Sequence, residues 1–191
     1  MISKTSAAMS VKRQFHITFG HTKDHSIDYL TGILLDSRLT TVQSIEKLTV
    51  SQLDWQYAPG WNTIGALLSH MEAIEHFFRI EFVLGRKLTT EENGHWTPAL
   101  DMGEHLPKLI TGKSVDQYMH ELTASRQMLV DAVRHLSFEE FTRKIEGYYD
   151  EQTGCNLAWA LYHMMEDEIY HRGQISMIRK LYAAHHGSGE G

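Results

Sequence analysis

The chain is predicted to be all-α, a four-helix bundle with a long connection between its second and third helices. Three observations carry that prediction. Apolar residues recur at helical spacing through four separate stretches. Three prolines in 191 residues leave room for long uninterrupted helices. The stretch from Arg86 to Lys113 holds Gly94, Pro98, Gly103, Pro107 and Gly112, and so reads as irregular chain joining two helical halves.

The first helix is expected from about Asp24 to Lys47, with Ile27, Leu30, Ile33, Leu34, Leu35 and Leu39 as its inner face. Residues Thr49 to Gly60 break it, punctuated by Pro59-Gly60. The second helix opens after Trp61, where Asn62 or Thr63 caps the free backbone N–H groups. Its stripe is Ile64, Leu67, Leu68, Met71, Ile74, Phe78 and Phe82, and Gly85 is its stop. Helix-to-helix loops in bundles usually span about 2–8 residues. The much longer Arg86–Lys113 connection is therefore a crossover or a cover over a site, with His95 and Trp96 placed to line a pocket. Ser114 with Gln117 forms a capping box for the third helix, which carries Tyr118, Leu122, Met128, Leu129, Ala132 and Val133 to about His135. Phe138 to Gly154 is mixed, with Phe141, Ile145, Tyr148 and Tyr149 suggesting a short extended piece. Asn156 caps the fourth helix, expected to run to about Ala184. The domain reading is a flexible segment over 1–20, one bundle over 21–186 and a flexible tail over 187–191.

Composition removes several classes of function. The net charge is -6 and no basic run occurs, so no nucleic-acid partner is expected. No stretch approaches the roughly 20 apolar residues of a membrane span, and Met1–Gly20 lacks the apolar core of a signal peptide. The expected location is cytoplasmic. The single Cys155 makes neither an internal disulfide nor a thiolate zinc site.

Chemistry concentrates between His163 and Ile175. The inner residues of the last helix follow a 4-3 rhythm: Leu157, Leu161, Met164, Glu168, His171, Ile175, Ile178 and Tyr182. A polar group buried without a partner costs roughly 2–7 kcal/mol, and an ion more, so these polar residues need partners inside the protein. Asp167 and His171 are one turn apart on one face, a spacing from which both can grip one ion. His163 lies about 12 Å from His171 along the axis, at 1.5 Å per residue, too far to share an ion with it. A third ligand must come from another helix. His70, bordering the second stripe, is the best placed, while His120 and His135 fall toward polar faces. The proposed ligands are His70, Asp167 and His171. The plainer alternatives are a water-facing ion pair for Asp167 and His171, and a hydrogen-bonded structural role for His163.

Two patches, Asn62-Thr-Ile-Gly-Ala-Leu-Leu-Ser-His70 and Glu168-Ile-Tyr-His171-Arg172-Gly173-Gln174-Ile175, resemble the DinB/YfiT-like family of four-helix metalloenzymes. The resemblance implies that His70 and His171 occupy two of the family's three ligand positions. The third position, usually His, is Asp167 here. It further implies a divalent metal (Zn, Ni, Mn or Fe), which two His and one carboxylate can hold with a position left open. Glu168 matches the family's acidic residue and is expected behind the ligands, orienting one of them or, with His163, handling protons. Arg172 is expected to pair with an acidic neighbour and Gly173 to permit close helix approach. The implied activity is transfer of a low-molecular-weight thiol (bacillithiol, mycothiol or glutathione-like) to a small-molecule electrophile. Metal-dependent hydrolysis and a non-catalytic, metal-binding dimeric bundle are the alternatives. A homodimer is the implied assembly. A di-iron carboxylate bundle, which needs paired Glu-x-x-His motifs and further glutamates, is the weaker reading.

Overall fold

The computed structural model of the protein describes residues 25–146, 148 and 154–187. The expected N-terminal segment 1–20 and residues 188–191 of the expected tail lie outside them. Four long helices make the bundle: α1 (His25–Ile45), α3 (Ile64–Phe78), α6 (Val115–Val133) and α8 (Leu157–Gly187). Short elements join them: α2 (Val50–Asp54), α4 (Thr90–Asp101), α5 (Leu106–Leu109), α7 (Phe138–Thr142) and a hairpin of β1 (Lys144–Ile145) with β2 (Cys155–Asn156). The hairpin pairs Lys144 with Asn156 and Ile145 with Cys155 in antiparallel register. Among the described residues no helix is long and apolar enough to cross a membrane.

Local chemistry sets the helix starts. Thr63, Ser114 and Asn156 each accept a hydrogen bond from the backbone N–H three residues on, at Ala66, Gln117 and Trp159. Ser114 and Gln117 complete the predicted capping box. The helical run of α3 continues as a π turn over Arg79–Val83 and ends before Gly85, whose φ of 65° a side chain would resist.

Cross-helix bonds reveal the chain directions. Arg172 donates to the Ser37 carbonyl and Arg179 to that of Ser44, so α8 runs parallel to α1. Arg38 reaches the Leu122 carbonyl and Arg126 that of Leu34, so α6 runs antiparallel to α1. Gly65 abuts Tyr118 while Glu75 meets Ser125 and Arg126, which makes α3 and α6 parallel. Two parallel neighbours cannot be joined by a tight turn. The Arg86–Lys113 segment is the crossover that this arrangement requires, and it packs along α3 on its way back.

That segment corrects the expectation of irregular chain. Thr89 and Glu92 form a capping box that starts α4 despite Gly94 and Pro98, and Met102 ends it at a φ of 48°. Of the residues expected in a short extended piece, Phe141 falls in the helix α7 and Ile145 in β1, while Tyr148 is in neither a helix nor a strand and Tyr149 lies outside the described residues. Gly187, expected to open a tail, is the last residue of α8. Leu35 and Met128, expected inside, are each 42% exposed.

The core is layered. Leu34, Phe78, Phe82, Leu129, Val133, Leu161 and Met164 pack at one end, and Ile45, Leu53, Leu67, Leu68, Tyr118, Leu122, Ile175 and Ile178 at the other. Between the two clusters every long helix contributes a turn of buried polar residues: Arg38 from α1, Glu75 from α3, Arg126 from α6 and Glu168 from α8.

Candidate metal centre

The antiparallel seam of α3 and α8 brings His70, Asp167 and His171 together, with one ligand atom of each within 4.8 Å of the others. Their sources are local and simple. Asp167 and His171 are one turn apart on α8. His70 projects from the facing turn of α3, its ring 5.1 Å from that of His171 and nearly perpendicular to it, at 87°. His171 Nε2 lies 3.1 Å from Asp167 Oδ1, and His70 Nε2 lies 3.7 Å from Asp167 Oδ2.

The far nitrogen of each ring is already engaged. His70 Nδ1–H donates to the Ala99 carbonyl at 2.7 Å, and His171 Nδ1–H donates to Gln174 Oε1 at 2.7 Å. A carbonyl oxygen only accepts, so both rings carry a proton on Nδ1 and present Nε2 to Asp167, as a lone pair when the ring is neutral and, at His171, as a donor to Asp167 when it is protonated. A neutral imidazole held by its other nitrogen is how a histidine is prepared for a metal. The donor set of two imidazole nitrogens and one carboxylate therefore fits a divalent ion, with coordination positions left over. Asp167 keeps its side chain 21% exposed, so the group opens to solvent on one side.

The two histidines titrate in opposite directions although both face Asp167. Burial dominates for His70 and lowers its pKa, outweighing the Ala99 bond and the Asp167 charge. Burial also pulls on His171, but its hydrogen bonds to Asp167 and Gln174, with the Asp167 charge, raise it above the usual value. The shorter contact decides the difference: without an ion, Asp167 shares its proton partner with His171 rather than His70.

Behind Asp167 lies the polar layer of the core. Glu168 accepts from Arg38 Nε at 2.9 Å and from Arg126 Nη2 at 2.6 Å. Glu75 accepts from Arg38 Nη2 at 3.0 Å and also bonds Arg126 and Ser125. Two guanidiniums and two carboxylates thus neutralise one another. Burial would push the Glu168 carboxyl up, but the flanking Arg38 and Arg126 charges hold it at about 2. A cavity of about 10 Å³, bordered by Met71, Ile74 and Met164, lies between this quartet and Asp167. That is roughly the room one water needs.

The remaining expectations fall in different places. Both oxygens of Glu168 go to arginines, and neither bonds His70, Asp167 or His171. His163 stacks on Trp159, with ring centres 4.9 Å apart, and sits 3.6 Å from Glu166, two turns from His171. Arg172 binds the Ser37 carbonyl rather than an acid. Gly173 faces open space, so no close packing explains it. His95 and Trp96 cluster with His76, the Trp96 ring stacked on His76 at 4.2 Å. Glu92-Asn-Gly-His95 repeats the Glu-x-x-His spacing, but Glu92 is engaged by Arg86 on the surface of α4. It supplies no second half of a di-iron centre.

Sequence reading missed Arg38, Glu75 and Arg126. A signal was present: Arg38 sits between Leu34 and Ile45, Glu75 between Met71 and Phe78, and Arg126 between Leu122 and Leu129, all at core spacing. It also missed Gln174 and the Ala99 carbonyl, and only the former has a local signal, three residues beyond His171.

Comparison with known proteins agrees with this architecture. The crystal structure of the conserved protein of locus from Enterococcus faecalis is similar in fold, with a TM-score of 0.61 and 18% identity, covering 80% of this chain and 94% of that one. No curated protein matches. The family model of the DinB superfamily matches residues 34–175. That span runs from the Leu34 turn of α1 past His70, Asp167 and His171 to Ile175, and the chain belongs to the DinB superfamily.

Proposed function

We propose that the protein is a divalent-metal-dependent enzyme that transfers a low-molecular-weight thiol to a small electrophile. One observation carries this reading: both Nε2 atoms and the Asp167 carboxylate converge on one point that is open to solvent on one side. His70, Asp167 and His171 would hold the ion, and the Ala99 carbonyl and Gln174 would keep the two rings in the ligating tautomer. When bound, such an ion lowers the pKa of a thiol that shares it, making thiolate available at neutral pH. Asp167 in place of a third imidazole brings a full negative charge to the ligand set. This suits ions that accept carboxylate as well as imidazole, such as Zn, Mn or Fe(II), and halves the net charge of the loaded site. Asp167 and His171 also form the pair able to take and return a proton at Nε2 when the ion is absent.

The test has two stages. Elemental analysis of the native protein is expected to show one metal per chain, lost in His70→Ala. Loaded protein should then consume bacillithiol, mycothiol or glutathione with an electrophile panel faster than metal-free protein. Stoichiometric metal without thiol consumption, but with ester or amide cleavage, would favour the hydrolytic alternative. No stoichiometric metal would remove the enzyme reading.

We also propose a homodimer as the working assembly. Trp159, Tyr162, Ile169, Tyr170 and Met177 share one outer face of α8 and are each at least 38% exposed. Tyr170→Glu should shift the sedimentation mass from dimer to monomer, and a wild-type monomer would end this proposal.

A further inference from the structure

The partner of His70 comes from the end of α4, and that end breaks a rule. Met102, directly after the last residue of the helix, has a φ of 48° and is the one residue other than glycine with a positive φ among those described. Left-handed backbone brings a Cβ too close to the following carbonyl oxygen, so glycine normally takes this place. Gly103 stands next in the chain with open space around it, yet it does not adopt the left-handed conformation.

The register of this turn decides where a carbonyl goes. A left-handed residue at a helix end can return its N–H to the carbonyl four residues back. With Gly103 in that role, its N–H would take the Ala99 carbonyl. The turn falls one residue earlier instead. Among the described residues neither the Met102 nor the Gly103 N–H bonds to Ala99, and the Ala99 carbonyl accepts His70 Nδ1–H at 2.7 Å.

Packing holds the turn in place. The half-buried Met102 side chain lies against two core clusters, the one around Leu67, Leu68 and Tyr118 and the one formed by Ala66, Ala73, Ala99 and Leu106. Ala66 and Ala73 lie about one turn before and after His70 on α3, and their small side chains let α4 come close enough for a backbone carbonyl to reach the ring. The carbonyl also sits at the C-terminal end of α4, where the helix dipole is negative. A negative partner on Nδ1–H makes Nε2 a stronger electron donor to a metal.

We propose that Met102 is a positioning residue for the metal centre. Its left-handed backbone ends α4 before Gly103 can take the Ala99 carbonyl, and so fixes His70 with Nε2 toward Asp167. This inference rests on the reading of His70 as a ligand.

The experiment uses the full chain with ¹⁵N-labelled histidine and zinc as the probe, comparing wild type with Met102→Gly, Met102→Asn and Met102→Val. Glycine and asparagine accept left-handed backbone and valine does not, while all three lose the thioether packing. Long-range ¹H–¹⁵N correlation of the metal-free protein reports which His70 nitrogen carries the proton, and competition with a chelator gives the zinc affinity. Met102→Gly and Met102→Asn should keep the Nδ1–H form, with zinc affinity within about twofold of wild type. Met102→Val should mix the two tautomers and weaken zinc binding about 10–100-fold. A methionine with only a packing role would lower Tm in all three variants and leave the tautomer unchanged. If Met102→Val does not fold, Met102→Ala replaces it, because it keeps the Cβ penalty and loses the packing that offsets it; a loss of at least about fivefold is then expected. Equal Nδ1–H populations in every variant, or a zinc affinity lowest in Met102→Gly, overturns the proposal. If the wild type binds no zinc, the ligand reading fails by itself, and the tautomer comparison still decides whether Met102 positions His70.

Discussion

Replacing Glu168 by Gln separates two roles for the residue beside Asp167. The family pattern makes it a companion of the metal, whereas its contacts make it half of a buried counter-charge to Arg38 and Arg126. Glu168→Gln preserves shape and removes the charge, so two guanidiniums face Glu75 alone and the core carries one uncompensated positive charge. A carboxyl held at about 2, against an ordinary 4.5, corresponds to ~3 kcal/mol of folding stability at 1.36 kcal/mol per pH unit. Breaking a buried ion pair by removing one partner typically costs about 3–5 kcal/mol, which agrees. For a chain of this size that range is a fall in Tm of roughly 6–20 °C. Because the native carboxyl is depressed, its contribution is complete above the unfolded value of 4.5 and is lost as pH falls toward 2. The wild type should therefore lose stability across that acid window more steeply than the variant. The assay is urea unfolding of metal-free protein at neutral pH, repeated at acid pH, beside calorimetric zinc titration. Zinc affinity should change less than threefold, since Glu168 touches no ligand. Unchanged stability with a tenfold or greater loss of zinc affinity would refute the argument and return Glu168 to the metal.

Other outcomes follow from the same contacts. Metal affinity should fall by up to tenfold per pH unit as the solution is acidified below the raised pKa of His171, because the ion must displace that proton; a pH-independent affinity between pH 5 and 8 would exclude His171 as a ligand. Gln174→Ala frees His171 Nδ1 and should weaken zinc binding about 10–100-fold with little change in Tm of the metal-free protein. Gly65→Ala would place a methyl 2.5 Å from the Tyr118 hydroxyl. The overpacking cost of about 1–3 kcal/mol should exceed the helix gain of ~1 kcal/mol, so the midpoint of urea unfolding should drop, and a rise would mean that Tyr118 yields.

Much of the candidate site was legible because one helix writes it locally. The 4-3 rhythm of α8 placed Leu161, Met164, Glu168, His171, Ile175 and Ile178 on one buried seam, and all six are buried. The i, i+4 spacing of Asp167 and His171 needs no knowledge of the rest of the chain. His70 was harder, being separated from them by most of the protein, and was identified by its border position on the second stripe. The buried quartet escaped because a charged residue at core spacing has meaning only when its counter-charges are known, and those come from three other helices. The Arg86–Lys113 segment escaped for a different reason. Glycine and proline weaken helix propensity, but the capping box at Thr89 and packing against α3 outweigh them in α4.

By itself the sequence determined the helical class, the starts of the long helices, the residues of the α8 seam and the three side chains able to meet at an ion. Helical periodicity and capping are written within a few residues, so they are readable before any fold exists. Tertiary structure alone decided the chain directions, and with them the need for a crossover that carries the Ala99 carbonyl to His70. It also decided which charges neutralise one another in the core, and that Gln174 holds His171. Such assignments depend on which groups from distant segments satisfy each buried donor and acceptor, and that is settled only when the helices pack.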